Sequence, residues 1–340
     1  MSTLDFSLIV PCYNEQDMLP LFLQEAVPQL DTQIGRSWEI IVVDDGSQDN
    51  TAAIVALHNA KDPRIKGVFL SRNFGHQAAV NAGLAYAIGD AVGVIDCDLQ
   101  DPIAVLIEMY NACSQGVEVC YGIRQKRDAP ALLRFFYSLF YWLMSNTSNH
   151  AWPRDAGDFC VMSRRALNAI LLLPERSRML RGLRSWVGFP QKGFPYARPR
   201  RLSGRSKYNI RKLVDLALLG FVGFSDAPLR LIGVFGFAVG LVALLIMLSV
   251  VINRLFPHFT LLGYWVGSSP MAATILVVFL FFMGLLFIFL GILGEYIRVV
   301  LHEVKGRPVA LVTTTVGSLP ASNSTSVVSP TEVSNCPCEK

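Results

Sequence analysis

Two short acidic motifs carry the chemistry this sequence offers. Asp96-Cys97-Asp98 follows an apolar run, Ala91–Ile95. On a strand, residues two apart share a face, so the carboxylates of Asp96 and Asp98 converge while Cys97 points away. Convergent carboxylates suit a hard divalent cation, Mg²⁺ or Mn²⁺, which takes oxygen ligands and shares them with nucleotide phosphates. Gln100, two residues on, offers a further oxygen. An isolated D-x-D is ordinarily a solvated loop pair; here Asp44-Asp45-Gly46-Ser47 closes an earlier apolar run, which favours a site. Pro11-Cys12-Tyr13-Asn14-Glu15 closes the first such run. As an exposed turn it would mean little. Paired with Asp44 and Asp45 it reads as a nucleoside pocket, with the Tyr13 ring for the base and carboxylates for base and ribose donors.

The elements that must position these residues alternate. Ser7–Val10, Glu39–Val43, Gly67–Leu70 and Ala91–Ile95 are short apolar runs ending in polar turns. Helical patterns fall between them, around Gln16–Val27, Thr51–Asn59, Gln77–Ala87 and Ile103–Ser114. This order predicts an α/β fold with a mostly parallel sheet covered by helices. Ligands bind such sheets at the carboxyl ends of the strands, where the acidic motifs sit.

The rest of the chain points to a membrane. Mean hydropathy over the 340 residues is +0.41. Leu231–Ile252 and Met271–Gly294 contain no Asp, Glu, Lys or Arg, and each exceeds the roughly 20 residues that cross a bilayer as a helix. Met1–Asp5 leads directly into a strand-like segment, so no signal peptide is expected. The connector Asn253–Pro270 carries only Arg254, whereas Arg211, Lys212 and Arg230 precede the first span and Arg298, Lys305 and Arg307 follow the second. That asymmetry predicts a multi-pass protein with both termini cytosolic. The odd count of 7 cysteines fits a reducing compartment. Ala131–Met144, dense in aromatics, is either a core helix or one lying among lipid headgroups; Ile210–Phe224 is a second amphipathic stretch before the first span. Arg176 to Lys212 contains no acidic residue, and attraction to anionic lipid accounts for most of that charge. Ser206-Lys207-Tyr208, at the junction of domain and membrane, suits a single phosphate head.

The ordered motifs V-P-C-Y-N-E, V-D-D-G-S-x-D, S-R-N-F-G, D-C-D-L-Q-D-P, G-D-F and G-R-S-K-Y resemble the polyprenyl-phosphate glycosyltransferases of glycosyltransferase family 2, from about Ser7 to Pro308. The resemblance implies a GT-A, Rossmann-like domain over 1–207 and a juxtamembrane segment over 208–228. Two transmembrane helices follow within 229–294, then a cytosolic return over 295–312; 313–340 reads as a disordered tail. It places Pro11, Tyr13, Asn14, Glu15, Asp44 and Asp45 around the nucleoside of a nucleotide-sugar, and Asp96, Cys97, Asp98 and Gln100 around the diphosphate, with metal at Asp96, Asp98 and Gln100. Asp158 is the implied catalytic carboxylate and Asp155 its rival. Arg124, Arg127, Arg181, Arg184, Ser206 and Lys207 would bind lipid phosphate. Cys97 departs from the small Ala common in the family.

The implied activity is inverting, metal-dependent transfer from a nucleotide-sugar, with a UDP-sugar such as UDP-glucose favoured, to polyprenyl phosphate in a bacterial inner membrane. Its product would serve cell-envelope glycans such as lipopolysaccharide. Nucleic acid is not an expected partner; a homo-oligomer is left open. Two other functions compete. A processive polysaccharide synthase would carry Q-x-x-R-W and more spans, and Arg184-Ser185-Trp186 does not supply that motif. A non-catalytic scaffold would not be expected to keep Asp96, Asp98, Asp158 and Lys207.

Overall fold

A computed structural model describes residues 4–35, 37–124, 156–176, 178–197, 235, 238–239, 241, 271–320 and 327–328. The chain divides into two compact units, Met1–Ala217 with His302–Lys340, and Leu218–Leu301.

In the first unit the alternating pattern folds as expected. β1 (Phe6–Cys12), β2 (Trp38–Asp44), β3 (Ile65–Leu70) and β4 (Ala91–Val94) are parallel, with α1 (Met18–Gln33), α2 (Thr51–Lys61), α3 (His76–Tyr86) and α4 (Ile103–Ser114) as crossovers or covers. Beyond them lie β5 (Val119–Arg124), β6 (Ala156–Ser163), α5 (Arg164–Leu172), α6 (Leu180–Trp186) and β7 (Gln191–Tyr196). The sheet runs β7-β5-β6-β4-β1-β2-β3-β8-β9, with β6 antiparallel to β4 and β5.

The strands are apolar on both faces because both faces are covered. Phe6, Leu8 and Val10 pack with Phe22 and Leu23 of α1 and Leu106 and Met109 of α4. The other face takes α3, which approaches so closely that a Cβ at Gly83 would lie 2.3 Å from Ile9 Cγ2. Register levels the strand ends: Cys12 pairs with Asp44, and Ile9 with Val94. The Pro11–Glu15, Asp44–Ser47 and Asp96–Asp98 motifs therefore emerge along one edge.

The expected disordered tail is corrected over its first residues. Ala310–Val316 forms β8, antiparallel to β3, and Val327–Val328 adds β9 parallel to β8. A run of Val and Thr is strand-forming, and the exposed edge of β3 offers it a ladder.

α7 (Met271–Val304) begins where the second span was expected and runs ten residues past Gly294, into the segment expected to be a return. Nothing in Glu295–Val304 breaks a helix; the stop comes at Gly306, in the left-handed region at φ 60°, whose amide donates to Glu303 O. Within α7, Phe282–Leu301 has mean hydropathy 2.0 and apolar side chains facing outward, and it is the one helix among the described residues long and apolar enough to cross a membrane. The first expected span lies outside the described residues except at four positions. One of these, Phe235, meets Phe289 of α7 edge-to-face with centroids 5.9 Å apart.

Candidate active site

The loops after β1 and β2 are zipped together by short polar contacts. Asn14, at φ 52°, donates its amide to Ser47 Oγ at 2.8 Å and accepts the Gln48 amide on Oδ1 at 2.8 Å. The Glu15 and Gln16 amides meet Thr51 Oγ1 and Asp49 Oδ2. These bonds frame a cavity of about 480 Å³ lined by Tyr13, Asp44, Ser47, Phe69, Arg72 and Thr314, among others. That volume suits a nucleoside-sized ligand. Asp44 Oδ1 accepts the Ser47 amide, and burial raises its carboxyl.

Asp45 stands differently from the sequence reading. Its two oxygens accept the Phe74 and Gly75 amides at 2.7 and 2.9 Å, and it is 3% exposed. It latches the Ser71–Gly75 loop onto β2 and so fixes the start of α3. Pro11 is buried in β1.

The Asp96-Cys97-Asp98 motif lies in the turn after β4, which ends at Val94, and not on the strand. Within the turn, Leu99 sits at φ 54° and the Gln100 amide donates to Asp98 Oδ1. Cys97 points inward, 3% exposed, in contact with the Cys12 thiol; that contact, with burial, pushes Cys12 up.

Asp96 is the electrostatic focus. Burial raises its carboxyl, and Asp101, Asp98 and Asp158 crowd it with like charge; His76 opposes them. Among the described residues no three His, Cys, Asp or Glu side chains form a complete metal cage. The carboxylates of Asp96 and Asp98 are hard oxygen donors, the kind that Mg²⁺ or Mn²⁺ takes.

Asp158, on β6, is 12% exposed at its side chain and strongly held. Gln77 Nε2 donates to it at 2.7 Å, Arg181 Nε and Nη2 approach at 3.3 Å, and His76 Nε2 lies 3.5 Å away. Burial alone would raise this carboxyl; the charges of Arg181 and His76 outweigh it and hold the group far below the usual carboxylate range. His76 answers in kind. Burial disfavours its charge, but Asp158 and Asp96 push it up to about 9, so the ring is an imidazolium at neutral pH. His76 and Gln77 were not singled out from the sequence. The available signal was their place at the start of α3, directly after the S-R-N-F-G motif.

The basic residues divide. Arg124 Nε donates to Tyr196 OH at 3.3 Å, and Tyr196 donates in turn to Asp101, which keeps Arg124 beside the Asp96 turn. Arg181 serves Asp158. Arg184 is fully buried, donates to Gly157 O at 3.0 Å and lies 5.7 Å from the Tyr121 ring centre. A basic stretch in sequence hid which charges face inward. Asp155, Arg127, Ser206 and Lys207 lie outside the described residues.

Residues 7–171 match the model of glycosyl transferase family 2. An uncharacterized glycosyltransferase of Bacillus subtilis, YkcC, is 36% identical over 91% of this chain and 93% of its own. An Escherichia coli prophage bactoprenol glucosyl transferase homolog is 35% identical over 89% of this chain and 96% of its own, and an SfII prophage-derived bactoprenol glucosyl transferase of Shigella flexneri is 36% identical over 89% and 95%. The fold and site define a glycosyltransferase with a mostly parallel α/β sheet. The chain belongs to glycosyl transferase family 2.

Proposed function

We propose that this chain transfers a sugar, with glucose from UDP-glucose the favoured case, to the phosphate of undecaprenyl phosphate at the cytosolic face of a bacterial inner membrane. The product is a polyprenyl-phosphate sugar for envelope glycans. One observation carries the reading: the cavity at Tyr13 and Asp44 opens on the same sheet edge as Asp96, Asp98 and Asp158. Relatives named bactoprenol glucosyl transferases over nearly their full length support the acceptor and the sugar.

Tyr13 and Asp44 hold the nucleoside. Asp96 and Asp98, with Gln100, would hold a divalent cation. When bound, that cation neutralises charge developing on the leaving diphosphate. The acceptor phosphate has a second pKa of about 6 and is largely dianionic near neutrality, so it is a nucleophile without help from a base. Its oxygen forms the bond to the anomeric carbon as the bond to the nucleoside diphosphate breaks, with inversion. Asp158, held ionised by Arg181 and His76, is a poor proton acceptor and orients acceptor or sugar instead. Arg124, Arg127, Ser206 and Lys207 receive the lipid phosphate, and Leu231–Ile252 and α7 cross the bilayer with both termini cytosolic.

The test is incubation of membranes from expressing cells with undecaprenyl phosphate and a panel of UDP- and GDP-sugars, with the lipid product identified by mass. The expected product is a hexosyl undecaprenyl phosphate formed from UDP-glucose in the presence of Mg²⁺ or Mn²⁺. Free sugar released with no lipid product under any donor would overturn the acceptor assignment.

A further inference from the structure

The cavity at the ends of β1, β2 and β3 draws one lining residue from a distant part of the chain. Tyr13, Asp44, Ser47, Phe69 and Arg72 come from the first 72 residues, and Thr314 comes from β8, the strand that follows α7. β8 reaches the cavity through an irregular pairing. Phe69 pairs with Thr314, but Leu70 pairs with Val312, so Thr313 is an extra residue. The Thr313 hydroxyl donates to Phe69 O at 3.1 Å and pins the irregularity in place. A bulge of this kind re-aims a side chain. Strict alternation is broken here: Val312 is buried while Thr313 and Thr314 are both exposed.

The chemistry of the lining gives Thr314 a distinct task. Tyr13 offers a ring face, and Asp44 as a carboxylate only accepts. A threonine hydroxyl both donates and accepts, which matches the mixed donor and acceptor edge of a nucleobase. We propose that Thr314 is a specificity-determining residue for the donor, its hydroxyl hydrogen-bonding the edge of a base packed on Tyr13. This rests on the nucleotide-sugar reading above and adds that the post-membrane strand completes the donor pocket.

The test uses the full chain in lipid nanodiscs, with UDP and GDP as calorimetric probes and UDP-glucose in steady-state assays. Wild type is expected to prefer one nucleoside diphosphate. Thr314→Val, of equal shape without the hydroxyl, should weaken the preferred one about three- to tenfold, the range of one net hydrogen bond, and narrow the ratio between the two. Thr314→Ser should restore the ratio. Thr315→Val, the neighbouring change in the same strand, should leave it as in wild type, and KM for undecaprenyl phosphate should be constant throughout. An unchanged ratio in Thr314→Val, or equal losses in Thr314→Val and Thr315→Val, overturns the assignment while leaving the donor reading intact. Wild type that binds neither nucleotide overturns both.

Discussion

Gln77 donates to Asp158 Oδ2 at 2.7 Å through its amide nitrogen and accepts the Leu180 amide at 3.0 Å through its oxygen. One side chain thereby joins the starts of α3 and α6 to the carboxylate on β6. Gln77→Glu keeps the acceptor toward Leu180 and replaces the donor toward Asp158 with a like charge. A hydrogen bond to a charged group contributes about 1.5–3 kcal/mol, so kcat should fall about ten- to a hundredfold, with donor KM within about threefold. Steady-state kinetics separates the two; a donor KM that rises while kcat holds would place Gln77 on the nucleotide instead.

Asp98→Ala should abolish transfer without unfolding the protein. The carboxylates around Asp96 repel one another, so removing one relieves the apo fold rather than straining it. Wild type should show a Tm that rises with added Mn²⁺, because a ligand bound only by the folded state stabilises it. The variant should match or exceed the apo wild-type Tm and show no rise. A Mn²⁺-dependent rise that survives in Asp98→Ala would move the cation elsewhere.

His76 gives a pH dependence whose sign follows from its direction. Its pKa is raised in the folded protein to about 9 from an ordinary value near 6.5. The stability it contributes is therefore fully present below about 6.5 and is lost as pH rises through about 9. The Tm difference between wild type and His76→Asn should be largest in acid and shrink through pH 8 to 10. Differential scanning fluorimetry in chelator, so that no cation competes for Asp96, reads this directly. A difference that is flat across that range would mean the ring is neutral in the fold.

The parallel half of the sheet and its loaded edge were legible because strand-ending acidic motifs and short apolar runs are local signals. The contacts of Asp45 and Arg184 were not legible for one reason: residue type announces charge, while its direction is set by packing that forms only when β2 meets the Ser71–Gly75 loop and β6 meets α6. The strands β5, β6 and β7, among which β6 runs antiparallel to β4 and β5, carry no βα alternation to reveal them. β8 was hidden because its pairing partner, β3, lies more than two hundred residues earlier.

Arg181 decides between two accounts of the basic residues. As a lipid-phosphate ligand it would act on acceptor binding; in the structure its Nε and Nη2 both lie 3.3 Å from Asp158 oxygens. A lysine keeps the charge but has no planar fork to match a carboxylate. Arg181→Lys should therefore lower kcat with little change in KM for undecaprenyl phosphate. If Arg181 acts through Asp158, losses in Arg181→Lys and Asp158→Asn should not add: the double variant should be about as slow as the slower single, as residues in one network behave. If Arg181 binds the lipid phosphate, acceptor KM should rise in Arg181→Lys and the rise should persist unchanged in the Asp158→Asn background. Kinetics on the four proteins with acceptor varied at saturating donor distinguishes these, and an additive loss confined to acceptor KM would return Arg181 to the phosphate site.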